Sequence, residues 1–259
     1  MLLATWNVNS LTARLPRVLE FLGTHRPDVL CLQETKVGDA TFPTWALEEA
    51  GYAAAHLSGG RWAGVAVLAP LERAPFDVVR GLPGEARTEE ARWVEATVGG
   101  LRCVSVYVVN GRALDTPTYE EKLTFLDAMR DRLAVLTAAP EPVFVAGDFN
   151  IAPEDRDVWD PALFTGTTHT SRPERERLDR ILATGLVDAF RVVSPEAVGF
   201  TYYDYRAGMF HKNMGMRIDL ALLSARLAPR VVRCGIDRDF RKGLKPSDHA
   251  PLLVELSDT

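Results

Sequence analysis

An acid and an imidazole, Asp248 and His249, stand side by side near the end of the chain, in the run Lys-Pro-Ser-Asp-His-Ala-Pro over residues 245–251. A carboxylate can hold a hard metal ion, and a histidine can move a proton near neutral pH. One such pair is weak evidence by itself. However, side chains suited to related chemistry recur at the edges of four other apolar runs: Asn7 and Asn9, Glu34 and Lys36, Asp148 and Asn150, and Asp219. Together they predict a site that handles protons and a metal ion.

The hydrophobic pattern indicates the elements that must position these side chains. Short apolar runs bounded by turn residues predict strands over residues 2–6, 28–32, 65–68, 92–98, 102–108, 142–146, 218–223, 230–234 and 252–256. Helical spacing predicts one helix around Leu15 to Leu22, which Pro27 closes. A long second helix begins at Pro117 behind the N-cap Thr116, and its buried stripe is expected to be Leu123, Leu126, Leu133 and Leu136. A third helix covers residues 173–183. No linker or strong repeat interrupts the pattern, so we expect one domain over residues 1–259.

The candidate residues fall at the ends of these predicted strands. Those at or just past the end of an apolar run are Asn7, Glu34, Tyr107, Asp148 and Asn150, and those at the start of one are Asp219, Asp248 and His249. In a sheet of mixed direction, the end of one strand and the start of an antiparallel neighbour share an edge. We therefore expect all these side chains to meet at one rim.

The composition is that of an ordinary globular protein. The chain has 259 residues, of which 47% are hydrophobic and 25% are charged. No apolar run approaches the ~20 residues of a membrane span, and the first residues show no signal-peptide pattern. Cys31 and Cys103 lie in apolar runs, so the three cysteines are expected to be reduced core thiols. These features predict a cytoplasmic protein with no membrane partner.

The distribution of charge favours an anionic substrate. The net charge of −5 argues mildly against a nucleic-acid partner, because phosphate binding draws on Lys and Arg. Basic residues nevertheless recur near the candidate site, at Arg206, Lys212 and Arg217 and again at Arg238, Arg241, Lys242 and Lys245. Their placement beside the acid–histidine pair matters more than the net charge.

Six motifs follow one another along the chain: Trp-Asn-Val-Asn-Ser at 6–10, Leu-Gln-Glu-Thr-Lys at 32–36, Tyr-Val-Val-Asn-Gly at 107–111, Gly-Asp-Phe-Asn at 147–150, Gly-Met-Arg-Ile-Asp at 215–219 and Pro-Ser-Asp-His-Ala-Pro at 246–251. In this order the chain resembles the exonuclease III family of AP endonucleases, within the wider endonuclease/exonuclease/phosphatase superfamily. Each motif is weakly specific, but six in order over essentially the whole chain are strongly so.

The resemblance implies a four-layer α/β sandwich, with two mixed β-sheets face to face and flanked by helices. It also implies a Mg²⁺-dependent enzyme, with Mn²⁺ as a substitute, that hydrolyses the phosphodiester 5′ to abasic sites in duplex DNA and leaves a 3′-hydroxyl. A 3′→5′ exonuclease and a 3′-phosphodiesterase or phosphatase activity often accompany it. The expected partner is duplex DNA with abasic or damaged 3′ ends, bound by a monomer.

Under this resemblance, the metal residues are Asn7, Glu34, Asp148, Asn150, Asp248 and His249. Glu34 is the strongest candidate, since Mg²⁺ prefers oxygen ligands and usually binds through one or two carboxylates. Carboxylates brought together without a cation would repel by roughly 4 kcal/mol per pair at 4 Å and an effective dielectric of 20. A metal ion or a basic partner would offset that repulsion.

The catalytic residues implied are Tyr107, Asp148, Asn150, Asp219 and His249. Asp219 would pair with His249, fix its tautomer and favour its charged form. Two alternatives stay open: His249 polarises the attacking water or the phosphate, or Asp148 activates the water or protonates the leaving oxygen. We favour Asp148 for the proton transfer and the Asp219–His249 pair for the phosphate. Tyr107 would donate its hydroxyl to the phosphate, and Asn150 would donate to it or orient Asp148.

The substrate residues implied are Lys36, Asn110, Arg112, Phe200, Tyr202, Tyr203, Lys212 and Met216. The aromatic residues and Met216 would line a tight apolar pocket that admits an extruded abasic sugar. Lys36 and Lys212 would neutralise phosphates, and Asn110 and Arg112 would contact the DNA backbone or a groove.

Two other functions stay open at this stage. One is a superfamily phosphoesterase that acts on a lipid or inositol phosphate, against which the basic and aromatic segments count. The other is a non-catalytic DNA-binding relative, which would be expected to have lost Glu34, Asp148 or His249; all three are present. The balance between endonuclease, exonuclease and phosphatase activity does not follow from the sequence.

Overall fold

The structure is a computed structural model that describes residues 1–85 and 87–257. The strands are β1 (Leu2–Asn7), β2 (Val29–Gln33), β3 (Tyr52–Leu57), β4 (Val65–Pro70), β5 (Phe76–Arg80), β6 (Trp93–Val98), β7 (Leu101–Tyr107), β8 (Val143–Asp148), β9 (Leu186–Asp188), β10 (Asp219–Ser224), β11 (Val231–Ile236) and β12 (Leu252–Leu256). The α-helices are α1 (Leu11–His25), α2 (Thr44–Glu49), α3 (Pro117–Ala138), α4 (Arg172–Leu182) and α5 (Ala189–Val193).

The strands form two six-stranded sheets of mixed direction. The first sheet has the order β11-β12-β1-β2-β4-β3, and the second has the order β5-β6-β7-β8-β10-β9. β1 pairs with β2 and β7 pairs with β8 in parallel, whereas β12 and β10 run antiparallel to β1 and β8. The ends of β1, β2, β7 and β8 therefore share an edge with the starts of β10 and β12, as the sequence predicts.

The two sheets pack face to face, and helices cover their outer faces. An apolar layer that includes Leu3 and Val67 of the first sheet and Phe144 and Ala221 of the second lies between them. α1 packs on the outer face of the first sheet, with Phe21 against Trp6. α3 and α4 cover the second sheet. The predicted four-layer α/β sandwich is confirmed.

The layer between the sheets changes from apolar to polar along the central strands. Because side chains alternate along a strand, every second residue faces the opposite sheet. This inward series is Leu3, Thr5, Asn7 in β1, Val29, Cys31, Gln33 in β2, Cys103, Ser105, Tyr107 in β7, Phe144, Ala146, Asp148 in β8 and, in reverse, Leu223, Ala221, Asp219 in β10. Gln33 Nε2 donates to Ser105 Oγ across the two sheets at 3.0 Å. The sandwich therefore has one polar end.

Three strands and two short helices lie outside the predicted elements: β3, β5, β9, α2 and α5. All three strands are sheet edges. The residues of β3, Tyr-Ala-Ala-Ala-His-Leu, have a low strand propensity, and pairing with β4 along the whole segment makes it a strand. Edge strands pack on fewer neighbours, so their sequences carry a weaker pattern.

Further predictions about elements and thiols agree with the structure. The Thr116 side chain accepts the N–H of Tyr119 and caps α3, and the predicted stripe of that helix is buried. Cys31, Cys103 and Cys234 are buried and unpaired. Within residues 1–85 and 87–257, none of the helices combines the length and apolar composition that crossing a membrane requires.

The prediction that Arg217 is one of the basic residues around the site is wrong. Arg217 is not a surface cation near an anionic substrate, because it is fully buried. Its guanidinium contacts Asp157 through Nε at 2.7 Å and Nη2 at 3.1 Å, and Asp188 through Nη1 at 2.6 Å. The charge of Arg217 therefore joins three segments inside the protein.

We expect Arg217→Ala to lower the free energy of unfolding by about 3–5 kcal/mol, because Asp188 loses its buried cation and Asp157 keeps only Arg191. Urea unfolding followed by circular dichroism measures this difference. Arg233→Ala on the exposed side of β11 is the control, with an expected change within about 0.5 kcal/mol. Equal small effects for both variants would show that the buried cluster contributes little.

Candidate active site

Asn7 joins the two sheets at the polar end of the sandwich. Its Nδ2 donates to Glu34 Oε1 at 2.8 Å and to Asp148 Oδ2 at 3.0 Å. Asn7 ends β1 and Glu34 follows β2 in the first sheet, whereas Asp148 ends β8 in the second. One amide therefore positions two carboxylates from opposite sheets.

Asp219 and His249 form a second connection between the sheets. Asp219 begins β10 directly opposite Asp148, and His249 lies just before β12. His249 Nδ1 is 2.7 Å from Asp219 Oδ2, and its Nε2 is 3.9 Å from Asp148 Oδ2. Because a carboxylate accepts the proton on Nδ1, the ring is fixed with Nε2 towards Asp148.

The contact with Asp219 raises the pKa of His249. Burial lowers the pKa of His249, but the charge of Asp219 and its hydrogen bond outweigh burial and raise the pKa to about 10. The imidazole is therefore charged at neutral pH. A charged ring can donate from Nε2 to a negative oxygen, but it has no lone pair for a metal ion.

Asp148 combines a raised pKa with a fixed orientation. Burial raises the pKa of Asp148, the charge of His249 opposes this, and the neighbouring Asp219 and Glu34 raise it again, to about 7. A carboxyl with this pKa can accept and release a proton near neutral pH. Its Oδ1 accepts the N–H of Asn150 at 2.9 Å, which orients the group.

A chain of polar contacts leads from Glu34 to Asp248. Lys36 Nζ lies 2.6 Å from Glu34 Oε2 and 2.6 Å from Asn9 Oδ1, and Asn9 Nδ2 donates to Asp248 Oδ1 at 3.1 Å. Glu34 and Lys36 both have a left-handed φ, 51° and 52°. Gly64 allows this tight turn, since a Cβ there would lie 2.0 Å from Thr35 Oγ1. Glu34 and Asp248 are thus connected through Lys36 and Asn9.

The donors at the rim fit a hard divalent cation. Glu34 and Asp148 each present a carboxylate oxygen, and these two oxygens and a ring nitrogen of His249 lie within 4.8 Å of one another. Burial raises the pKa of Glu34, but the charge of Lys36 and hydrogen bonds from Asn7 and Lys36 lower it overall, so this carboxylate is ionised. The ammonium of Lys36 against Glu34 shows that positive charge is favoured there.

The metal roles predicted for Asn150 and His249 stay predictions, and the contacts favour other donors. Asn150 Oδ1 accepts from Asn110 Nδ2 at 3.0 Å, and its Nδ2 donates to the Val108 carbonyl at 3.0 Å. The His249 ring is charged and bound to Asp219. The oxygens of Glu34, Asn7 and Asp248 are the hard donors that suit Mg²⁺.

Tyr107 keeps its proton at the rim. It ends β7 beside Asp148 in the parallel ladder, and the Arg92 guanidinium lies 4.7 Å from the centre of its ring. Burial and the negative charges of Glu34 and Asp148 raise the pKa of Tyr107 well above its ordinary value. Its hydroxyl is therefore a neutral hydrogen-bond donor, and it faces Glu34.

The predicted apolar pocket is only partly found. The Tyr202 ring is tilted against His249, with the ring centres 5.0 Å apart. Phe200 and Tyr203 are instead buried, and Tyr203 packs edge-on against Phe210. Met216 is buried in a small cluster with Ala152, Val158 and Ile218. Of the four residues, the structure brings Tyr202 to the site and assigns the others mainly to packing.

The predicted cations Lys36, Arg112 and Lys212 have different surroundings. Lys36 contacts Glu34 directly, and Arg112 is exposed just after Asn110, whose Oδ1 accepts the Arg112 N–H at 3.1 Å. Lys212 is exposed beside Trp159 and Val198, in a hollow lined by a different set of residues. Lys36, Asn110 and Arg112 thus lie around the site, and the phosphate role of Lys212 stays a prediction.

Three residues near the rim were not singled out from the sequence. Trp62 is 77% exposed in the loop before β4, where the Ala63 carbonyl accepts the Lys36 N–H. Leu244 is 89% exposed just before the Asp248 motif. His169 Nδ1 donates to the Asn150 carbonyl at 2.6 Å, and burial and the charge of Lys122 lower its pKa to about 4. Of these three residues, Trp62 had a sequence signal that could have identified it, namely a tryptophan in a glycine-rich loop.

Comparisons with known proteins give a consistent result over the whole chain. The sequence model described as the Endonuclease/Exonuclease/phosphatase family matches residues 4–201. Exodeoxyribonuclease III from Haemophilus influenzae is 34% identical over 267 aligned positions, which cover 97% of this chain and 98% of that protein.

Two solved structures share the fold at nearly full length. The 3′ phosphatase NExo from Neisseria, bound to a product DNA hairpin, superposes with a TM-score of 0.96 at 37% identity and covers 100% of both chains. An AP endonuclease from Archaeoglobus fulgidus superposes with a TM-score of 0.95 at 33% identity, again over 100% of both chains.

Proposed function

The chain belongs to the Endonuclease/Exonuclease/phosphatase family, and we propose that it is a metal-dependent DNA-repair nuclease. Its substrates are duplex DNA with abasic sites, where it cuts the 5′ phosphodiester and leaves a 3′-hydroxyl, and DNA with damaged 3′ ends. The observation that carries this proposal is the rim at which Asn7 holds Glu34 and Asp148 together beside the Asp219–His249 pair.

Each step of phosphodiester hydrolysis has a suitable group at this rim. Asp148, with a pKa of about 7, takes the proton of the attacking water. The charged His249 donates from Nε2 to a phosphate oxygen, and the Tyr107 hydroxyl donates to the same group. Glu34, Asn7 and Asp248 would hold the metal ion, which neutralises phosphate charge and stabilises the leaving oxygen when bound.

The surface around the rim supports duplex DNA as the substrate. Lys36 and Arg112 place positive charge beside the site, as phosphate binding requires. Trp62, in the loop before β4, and Leu244, just before the Asp248 motif, expose large apolar side chains, which suit contacts with base edges or sugars. We further propose that the enzyme acts as a monomer in the cytoplasm, with Mg²⁺ as its ion and Mn²⁺ as a substitute.

The test compares four substrates with the same purified protein: a duplex with one internal abasic analogue, a recessed 3′ end, a 3′-phosphate end and a phosphoinositide. We expect metal-dependent cleavage of the DNA substrates, and their relative rates define the balance between endonuclease, exonuclease and phosphatase activity. Cleavage of the phosphoinositide alone would replace this proposal with a lipid or inositol phosphoesterase. DNA binding without cleavage of any substrate would replace it with a non-catalytic role.

Removal of the metal ion and loss of Glu34 should have linked effects. We expect a chelator to abolish DNA cleavage and added Mg²⁺ to restore it. Glu34→Gln should raise the Mg²⁺ concentration for half-maximal activity by at least about 10-fold, because an ionised ligand becomes neutral. Calorimetric titration of the free protein with Mg²⁺ measures the same change without activity, and the exposed Glu49→Gln is the control. Unchanged Mg²⁺ affinity in Glu34→Gln would place the ion elsewhere.

A further inference from the structure

A buried ammonium lies behind the rim, on the outer side of the second sheet. Lys122 belongs to α3 and is fully buried, although lysine is rarely buried without a specific partner. Its Nζ donates to the Asn150 carbonyl at 2.7 Å and to the Asn110 carbonyl at 3.3 Å. One side chain therefore holds the loops that follow β7 and β8.

Glu174 is the counter-charge, and it fixes a third segment. It is also fully buried and forms a short ion pair with Lys122. Its carboxylate accepts from Thr168 Oγ1 at 2.9 Å and from the N–H groups of His169 at 3.0 Å and Ser171 at 3.1 Å. The ion pair thus joins α3, the start of α4 and both loops of the rim.

The packing around this pair leaves little room for rearrangement. Gly111 has a φ of 84°, and a Cβ there would lie 2.9 Å from both Lys122 Cδ and Thr168 Oγ1. The Tyr119 hydroxyl lies 2.6 Å from Ser171 Oγ, which also caps α4. Glycine at residue 111 allows the backbone of the first loop to approach the stem of Lys122 closely.

The contact of Lys122 with the Asn150 carbonyl connects the buried ion pair to Asp148. Asn150 has a left-handed φ of 51°, a conformation that asparagine tolerates better than other non-glycine residues but that still benefits from support by its surroundings. In this conformation its N–H donates to Asp148 Oδ1 at 2.9 Å. The donors of Lys122 and His169 on the Asn150 carbonyl stabilise that backbone. Lys122 therefore acts on Asp148 through one intervening residue.

We propose that Lys122 and Glu174 are positioning residues for the reaction: a buried ion pair that holds Asn150 in its left-handed conformation and thereby aims the carboxylate of Asp148. Neither side chain touches the substrate. This inference rests on the proposed function, since it concerns the geometry of the same site, but the conformation of Asn150 can be measured separately.

Lys122→Met tests the proposal, because methionine fills a similar volume without a donor. We expect the turnover number on abasic DNA to fall about 10-fold to 100-fold, since a small misplacement of a reacting group has an effect of this size. The dissociation constant for DNA in chelator should stay unchanged. By NMR, the Asn150 amide should exchange with solvent faster than in the unmodified protein.

The double variant Lys122→Met/Glu174→Gln separates positioning from stability. Loss of Lys122 alone leaves a buried uncompensated carboxylate, whereas the double variant removes both charges. We expect the urea midpoint to recover in the double variant while the turnover number and the Asn150 exchange rate do not. Recovery of turnover together with stability would overturn the proposal.

Glu95→Gln is the matched control. Glu95 is a buried carboxylate that binds Trp93, Arg102 and Arg132, and Arg132 lies ten residues beyond Lys122 in α3, about 15 Å along the helix axis. We expect this variant to lose stability with normal turnover and normal Asn150 exchange. If the unmodified protein cleaved no DNA, the proposed function would fail, and the exchange data would still decide the inference. Unchanged Asn150 exchange in Lys122→Met would also overturn it.

Discussion

Asp148→Asn is expected to lower the turnover number on abasic-site DNA by about 10³-fold to 10⁴-fold, at the upper end of general acid–base effects. Asparagine keeps the size of the side chain, and its carbonyl oxygen can still accept the N–H of Asn150. It cannot take a proton from the attacking water. The variant removes a buried carboxylate from the rim but also the oxygen that accepts from Asn7 Nδ2, so we expect the fold to be retained.

Single-turnover cleavage at saturating Mg²⁺ measures this effect without a contribution from product release. Asp28→Asn is the matched control, since Asp28 accepts the Leu2 N–H at 2.7 Å and lies just before β2, at the opposite end of that strand from Glu34. Its turnover should be normal. A near-normal rate in Asp148→Asn would favour the alternative in which His249 acts on the water.

The groups at the rim could be predicted from the sequence because their signal is local. Asn7, Glu34 and Asp148 each end or directly follow a strongly apolar run. An apolar-to-polar change at a strand end is visible within a few residues, and strand direction then decides which ends share an edge. No long-range contact is needed to make that inference.

The apolar pocket could not be predicted in the same way. The segment that contains Phe200, Tyr202 and Tyr203 has no regular hydrophobic period. The sequence therefore does not indicate which of these rings faces the site. Isolated β-bridges from Tyr202 to His249 and to Met216 determine where the Tyr202 ring lies, and both partners are distant in sequence. The ring of Tyr202 is therefore directed to the site while its two neighbours pack inside.

Lys122 and Glu174 were missed for a related reason. Charged residues on a helix usually face the solvent, and the stripe predicted for α3 contained leucines only. Lys122 is buried because loops from two other strands present carbonyl groups and Gly111 leaves room for its stem. Such a site depends on three segments that meet only in the folded chain.

His249→Ala is expected to lower the turnover number by about 10²-fold to 10³-fold, the range found when a donor to a developing negative charge is lost. The pKa of about 10 keeps the ring charged at neutral pH, with Nε2 free to donate to the phosphate. His25→Ala is the control, because His25 forms a similar pair with Asp237, at 2.9 Å, away from the rim. Comparable turnover in the two variants would contradict the role assigned to His249.

The charge of His249 also makes stability depend on pH in a defined direction. Its pKa in the folded protein, about 10, is higher than the ordinary value of about 6.5. The stabilisation is therefore fully present below about pH 6.5 and is lost as the pH rises through about 10, by a few kcal/mol in all. In chelator, the difference in unfolding free energy between the unmodified protein and Asp219→Asn should shrink over that interval, because the variant lacks the carboxylate that binds Nδ1. A difference that stays constant from pH 6.5 to 10 would mean that the ring is neutral, and the phosphate contact would then have to come from Tyr107 and the metal ion alone.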